Sequence, residues 1–379
     1  MKVSAKSGGA CAAIVLLVAV SAVGGCQRAD DQRIQVSVIA LTEAFRIGDE
    51  AAGDSVLFGT VYSMAVDSKG QLYITDKGYP GIRMFSFDGA LIGEIGQEGK
   101  GPGEFTRMPE VRIGPEDSLY AWDFYADRFT TFSPQDQSYV TSFTMVGSEA
   151  SGLYPDDFLG ATSRGFLFSY GGFYRPGSED PSSNVEQVKL VDWNGTVVID
   201  SVAQLPMRPG LIIATENSIR AHTLPFAVGP HFAVSADEVL YYGLDGAIHI
   251  TRVPLAGMNQ RKFTVPHSPV PVSDAERDEL IADISDRFRG MLREQLPAVK
   301  PAFNRMMPDD ANRLWIELTQ PEHEQTRTWL IVDDTGLEIA RADVPQNVQL
   351  RVVRNSRAYG IMTDDETGAP IVVAWNISP

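Results

Sequence analysis

A chain of 379 residues, 44% of them hydrophobic, has enough apolar material for a large core, which rules against wholesale disorder. The net charge is −17, and removing a leader that carries Lys2 and Lys6 but no acid takes it to −19, a balance that repels phosphate polymers and speaks against nucleic acid as a partner. The only cysteines are Cys11 and Cys26, so nothing after residue 26 can form an intrachain disulfide or a thiolate metal site.

Lys2 and Lys6 make a positive start, and the apolar run from Cys11 to Val20 is the right length for the core of a signal peptide but short for a membrane span. It ends in Val23-Gly24-Gly25-Cys26, which looks like a bacterial lipobox. The two glycines admit the backbone to a peptidase, and the thiol of Cys26 is the group that takes the lipid. Residues 1–25 therefore read as a lipoprotein signal peptide, Cys26 as the lipid attachment, and 26–33 as a tether. Gln27 replaces the Asp that commonly retains such proteins at the inner membrane, so an extracytoplasmic, lipid-anchored protein is expected, at the outer membrane rather than the inner.

Residues 34–379 are organised by repetition. Ile34–Leu41 is a β-rich run without a nearby partner, and Glu43–Asp54 reads as loop. From Ser63 to Phe132 one pattern occurs twice: a strand into a turn, a strand ending in Asp76 or Asp123, then a strand carrying Arg and Phe. Aligning the second strands gives six rungs: Leu72-Tyr73, Leu119-Tyr120, Leu167-Phe168, Leu240-Tyr241, Leu314-Trp315 and Ala358-Tyr359. Their first members are 47, 48, 73, 74 and 44 residues apart. Three steps match the ~40–50 residues of a four-stranded propeller blade. The long ones need insertions: Pro/Gly-rich segments at Arg175–Asn184 and Leu205–Pro230, and a helix over 273–296. Ser273 and Glu276 form a capping box at the start of that helix. Leu280, Ile284, Phe288, Met291, Leu292 and Leu296 mark its apolar face, and Pro297 stops it.

The last repeat supplies three strands where a blade needs four. The orphan strand at Ile34–Leu41 is the natural fourth, and its pairing would remove two exposed edges. The sequence thus predicts an all-β fold: a six-bladed β-propeller whose N-terminal strand closes the last blade, with one inserted α-helix.

The segment Ile95-Gly-Gln-Glu-Gly-Lys-Gly-Pro-Gly-Glu-Phe105 resembles the link after the first full blade in bacterial six-bladed β-propeller lipoproteins related to the NHL-repeat group. The resemblance extends to Leu72–Asp76, Pro266–Asp278, Leu296–Pro301 and Leu314-Trp315-Ile316, and it covers most of the chain from Ile34 onward. It implies a propeller and leaves the activity open. Tyr170 and Gly243 stand where the first two repeats have Asp, which argues against a full ring of carboxylates.

The Gly96–Phe105 segment lacks the G-K-[ST] ending of a phosphate loop, and its glycines and Pro102 read as turn-formers. The ligand-binding candidates are Asp76, Asp123, Trp122, Tyr125 and Arg128, at or beside the ends of second strands. The two aspartates either hold the following turn or face the channel. The aromatics and Arg128 either pack between blades or rim a mouth that suits a carbohydrate, peptide or other protein. His222 and His231 are the histidines whose spacing lets them meet at a metal, although no H-x-H or H-x-x-x-H pair occurs. The leading reading is a membrane-anchored binding or scaffold module without catalytic activity and without a cofactor. The competing one, taken from related propellers, is a metal-dependent lyase or lactonase with a divalent cation in the central channel.

Overall fold

The computed structural model describes residues 36–50, 53–54, 56–145, 153–172, 184–215, 218–282 and 286–378; the side chains of 211–222, 286–288 and 291 stand outside that description. The leader, Cys26, the tether and most of the Arg175–Asn184 insertion also lie outside the described residues.

The described strands form a propeller of six four-stranded blades. Counting strands outward from the axis, blade 1 is Val61–Val66, Leu72–Asp76, Tyr79–Phe85 and Leu91–Ile95. Blade 2 is Glu110–Ile113, Leu119–Asp123, Arg128–Phe132 and Tyr139–Thr144, and blade 3 is Tyr154–Thr162, Gly165–Gly171, Val185–Val191 and Val197–Pro206. Blade 4 is Pro230–Val234, Val239–Leu244, His249–Pro254 and Arg261–Thr264, and blade 5 is Phe303–Pro308, Leu314–Leu318, Thr326–Val332 and Glu338–Pro345. Blade 6 takes Val348–Arg354, Arg357–Thr363 and Pro370–Ser378 from the end of the chain and Ser37–Ile47 from its beginning.

That closing strand pairs antiparallel with the last strand from Ala40↔Ser378 to Ile47↔Val372. Its first residues, Ser37–Ile39, run parallel to Ala340–Ala342 of blade 5, so blades 5 and 6 form one eight-stranded sheet. The strand runs further along the chain than the sequence suggests: Glu43–Ile47, expected as loop, continues the pairing that begins at Ala40. Glu43 and Arg46 look like loop residues in the sequence, but they form an ion pair on its exposed side while Ile39 and Ile47 are buried.

Each seam between neighbouring blades has its own apolar filling. Tyr73 and Ile82 of blade 1 meet Val111 and Leu119 of blade 2, and Trp315 and Trp329 of blade 5 meet Leu350 and Ala358 of blade 6. Tyr359, Val372 and Ala374 of blade 6 meet Met64, Ile74 and Phe85 of blade 1, which completes the circle. The six rungs explain this arrangement. Side chains alternate across a strand, so the first member of a rung faces the preceding seam and the second faces the following one. Leu119 and Tyr120 divide in this way, as do Leu240 and Tyr241.

In blade 3 the rung is Phe166-Leu167, not Leu167-Phe168: Phe166 fills the seam with blade 2 and Leu167 the seam with blade 4. The two-residue turn at Ser163-Arg164 is shorter than the turn at Asp67–Gln71, and it shifts the register by one residue.

The insertion over 273–296 holds two helices rather than one, α1 (Asp274–Ala282) and α2 (Asp286–Gln295). The capping box forms as expected: the Ser273 amide donates to Glu276 Oε2 at 2.8 Å, and the Glu276 amide donates to Ser273 Oγ at 3.1 Å. Of the expected apolar face, Leu280, Leu292 and Leu296 pack together with Ile281, Leu224 and Ala227; the side chains of Ile284, Phe288 and Met291 lie outside the described residues. A hairpin, Gly210–Thr215 with Ser218–Thr223, is inserted between blades 3 and 4. Among the described residues, no helix is long and apolar enough to cross a membrane.

Candidate functional site

The inner strands of all six blades surround a cavity of about 800 Å³. It reaches from Tyr62 and Glu110 at one end of the inner strands to Asp117 and Asp310 at the hairpins of the other. Strand register sets the order of its wall. Ser63, Glu110, Asp157, His231, Arg305 and Gln349 occupy the same level, one from each blade, opposite Thr75, Trp122, Ser169, Gly243, Glu317 and Ile361 on the second strands. Of the inner-strand residues at this level, Ser63, Glu110, Asp157 and Arg305 line the cavity.

Four inner strands also carry a bulge, where one extra residue is left out of the ladder and its side chain is re-aimed. The extra residues are Tyr62, Asp156 and Leu159, Asn304, and Arg351. Tyr62, Leu159 and Arg351 line the cavity.

Charge is distributed unevenly around the axis. On the side of blades 2 and 3, Glu110 is ion-paired with Arg112 and accepts the amide of Phe158 across the seam at 3.2 Å. Arg112 also lies 4.0 Å from Asp157 and donates to the Val111 carbonyl at 3.0 Å. Burial pushes Glu110 up to about 8; Arg112 opposes that shift and Asp157 adds to it. Burial likewise pushes Glu186 up to about 7, helped by Asp156, and raises Asp156.

On the side of blades 5 and 6 stand Arg305 and Arg351. Arg305 donates to the Leu350 carbonyl at 2.7 Å, and Arg351 to Gln349 Oε1 at 3.3 Å. Among the described residues neither is ion-paired, since Glu317, beside Arg305, pairs with Arg327 at 2.8 Å. Burial, then repulsion from Arg305 and Arg112, lowers Arg351 to about 10; burial also lowers Arg305.

The protonation of Glu110 and Glu186 gives an expected pH dependence. The unfolded chain releases these protons near the ordinary value of 4.5, whereas the folded chain holds them to about 8 and about 7. Between those limits the folded state binds more protons, so their contribution to stability falls as pH rises. Urea denaturation across this window should show the decline, and Glu110→Gln with Glu186→Gln should flatten it. An unchanged slope in the double variant would contradict the assignment.

The residues singled out in the sequence do not converge on this cavity. Asp76 is buried and accepts the Gly78 amide at 2.6 Å and the Gly59 amide at 3.2 Å, and it holds Arg83 at 2.8 Å. Asp123 accepts the amides of Thr106 at 2.6 Å and Ala126 at 3.3 Å. Both carboxylates thus tie the end of the second strand to the link entering their own blade. Asp245 does the same in blade 4 by accepting the Gly229 amide at 2.8 Å. Leu244, rather than Gly243, stands at the position of Asp76 there, and the carboxylate is displaced by one residue.

Trp122 is buried in the seam of blades 2 and 3. Tyr125 is 58% exposed, with the Arg107 guanidinium 4.4 Å from its ring centre. Arg128 donates to the carbonyls of Lys100, Gly101 and Glu104, clamping the glycine-rich link. That link is held internally too, because Glu104 accepts the Gly101 amide at 2.7 Å. Gly96 and Gly103 adopt φ of +73° and +74°, angles that disfavour a Cβ.

His231 shares Asp245 with Arg208, at 3.0 Å, and packs against Phe303. The side chain of His222 lies outside the described residues. Among the described residues, no three His, Cys, Asp or Glu side chains gather as a metal site. Sequence reasoning missed Arg305 and Arg351, whose only signal is their place on inner strands.

A family model described as a 6-bladed beta-propeller matches residues 51–149, the stretch that includes blades 1 and 2. The resemblance to six-bladed propellers holds. Among solved structures, a Bacteroides fragilis protein assigned as exported superposes with a TM-score of 0.51 at 12% identity, over 90% of this chain and 96% of that one. A DUF4221-family member from Bacteroides vulgatus gives 0.48 at 10% identity, over 91% and 99%. Virginiamycin B lyase from Staphylococcus aureus gives 0.41 at 10% identity, over 89% and 99%. At such identities the first likeness speaks for the fold alone. No curated protein matches the chain.

Proposed function

We propose that this chain is an extracytoplasmic binding module that takes a ligand in the central channel and is held at the membrane by a lipid on Cys26. The observation that carries the reading is the cavity itself. At about 800 Å³ it has the size of a small-molecule site, and polar groups from several blades converge on it. Fixed turns and packed seams account for Asp76, Asp123, Trp122 and Arg128, and the channel offers polar groups beyond these.

The address rests on the order of Lys2, Lys6, the apolar run and Val23-Gly24-Gly25-Cys26, with Gln27 favouring the outer membrane. The likeness to a protein assigned as exported is in keeping with it. A scaffold role needs no channel, and a metal-dependent reaction needs converging ligands; the cavity favours neither over ligand binding.

The test has two arms. The full chain, purified in detergent, is screened by thermal shift against sugars, amino acids, short peptides and organic acids. At least one should raise the melting temperature, and Ala236→Trp, which narrows the hairpin mouth of the cavity, should weaken the effect. A panel without any stabilising compound would sink the binding reading. In cells fed labelled palmitate, the label should enter the wild-type chain and be absent from Cys26→Ala; equal labelling would remove the anchor.

A further inference from the structure

We infer that the channel binds an oxyanion, a carboxylate, phosphate or sulfate group, through Arg305 and Arg351. This inference rests on the channel being the ligand site.

Four guanidinium groups, those of Arg112, Arg305, Arg351 and Arg354, line one cavity in a chain whose net charge is −17. Like charges held together in a partly desolvated space repel one another, and a structure normally answers with carboxylates. It does so for Arg112, which has Glu110 and, at 4.0 Å, Asp157, and for Arg354, which has Asp117 at 3.7 Å. Among the described residues it does not for the other two, Arg305 and Arg351. Glu317 is the carboxylate beside Arg305, and Arg327 takes it. Arg351 has only the neutral amide oxygen of Gln349.

Each guanidinium carries five N–H donors, and the hydrogen bonds to Leu350 and Gln349 use one from each. The remaining donors form planar forks of the kind that grip an oxyanion in pairs. Position adds to this. Arg351 is the extra residue of a bulge between Leu350 and Val352, a device that turns a side chain out of the ladder, and it points into the cavity. Arg305 is fixed by its bond to the Leu350 carbonyl, one residue before Arg351, so the two groups share a wall. Both carry the positive charge that a guanidinium keeps in proteins. On the facing wall burial pushes the Glu110 carboxyl up to about 8, and Arg112 lies 4.0 Å from Asp157, which limits the repulsion of an incoming anion.

The experiment is calorimetric titration of the full chain in detergent, at low ionic strength, with sodium succinate, phosphate and sulfate in separate runs. The preferred anion shows which group the pocket was built for. At least one should bind, and Arg351→Gln and Arg305→Gln should each weaken it by about tenfold or more, the equivalent of one charge-assisted hydrogen bond. Arg351→Lys, which keeps the charge but loses the fork, should restore binding only in part. Arg261→Gln, exposed on the outer strand of blade 4, should leave affinity unchanged. Circular dichroism checks that each variant is folded.

Absence of binding by all three anions, or binding indifferent to both Gln substitutions, would overturn the inference. If the thermal-shift panel then yields a neutral compound whose binding is weakened by Ala236→Trp, the binding module stands and only the anion assignment falls. If the panel is also silent, both fall.

Discussion

Deleting Ser37–Ile47 should leave a chain that does not reach the native fold. The segment carries the fourth strand of blade 6 and the only hydrogen bonds that join blades 5 and 6 as one sheet among the described residues. Without it, the strand Pro370–Ser378 becomes an open edge, and Ile39 and Ile47, both buried, lose their places along with half-buried Leu41 and Phe45. At about 1.5–3 kcal/mol for each fully buried aliphatic or aromatic side chain, the loss is on the order of 5–10 kcal/mol, comparable with the whole stability of a domain. Far-ultraviolet circular dichroism and urea denaturation of the truncated chain provide the measurement. An unchanged urea midpoint would show that the ring closes without this strand. A synthetic peptide of residues 36–48 supplied in trans should recover part of the signal, because the edge it leaves is a template for strand addition.

The second large effect is expected from Phe166→Ala. Phe166 is completely buried at the seam of blades 2 and 3, with ring centres of Phe129 at 4.2 Å, Trp193 at 4.8 Å and Tyr120 at 5.1 Å. Truncation removes the transfer energy of a large side chain and leaves a cavity that surrounding β-strands cannot collapse to fill. The expected cost is about 3–5 kcal/mol, with a further contribution from the lost aromatic pairs. Urea unfolding should show a lower midpoint at unchanged slope. Phe124→Ala, at a ring 47% exposed, should cost less than about 1 kcal/mol. Similar losses in the two variants would mean that the seam does not hold the blades together in the way described.

The propeller was legible in the sequence because its energetics are periodic. Each blade must present one apolar side chain to the seam behind it and one to the seam ahead, and adjacent residues on a strand are the cheapest way to do so. Leu72-Tyr73 and Leu314-Trp315 therefore repeat as pairs, and closure followed from counting three strands at the end and one at the beginning. The failures arose where spacing is set by turns. Ser163-Arg164 is two residues long and slides the third rung, and the loop expected over Glu43–Asp54 begins late because Glu43–Ile47 is drawn into pairing by an edge 330 residues away in the chain. The break between α1 and α2 carries no proline or glycine to announce it.

The channel was less legible for a different reason. Asp76, Asp123 and Arg128 are conspicuous residues because turns and links need them, and the two carboxylates and the terminal nitrogens of Arg128 are already engaged. Arg305 and Arg351 look ordinary on their strands. What gives them meaning is the bulge that re-aims one and the neighbouring carboxylate taken by Arg327, and both are properties of pairing across blades.

The seam between blades 5 and 6 differs from the others. It is stitched on the outside by Ser37–Ile39 against Ala340–Ala342 and on the inside by Arg305 reaching the Leu350 carbonyl. The two blades therefore share one continuous ladder, whereas the other boundaries are crossed by side-chain hydrogen bonds, such as Phe158 N–H to Glu110 between blades 2 and 3 and Arg354 to the Val66 carbonyl between blades 6 and 1. Arg305 and Arg351 lie on that joined pair of blades, while Arg112 lines the cavity from blade 2. A guest gripped by the pair would be held by two blades that share one backbone ladder, so that whatever fixes its anionic end also bears on the joint where the two ends of the chain are tied into the ring.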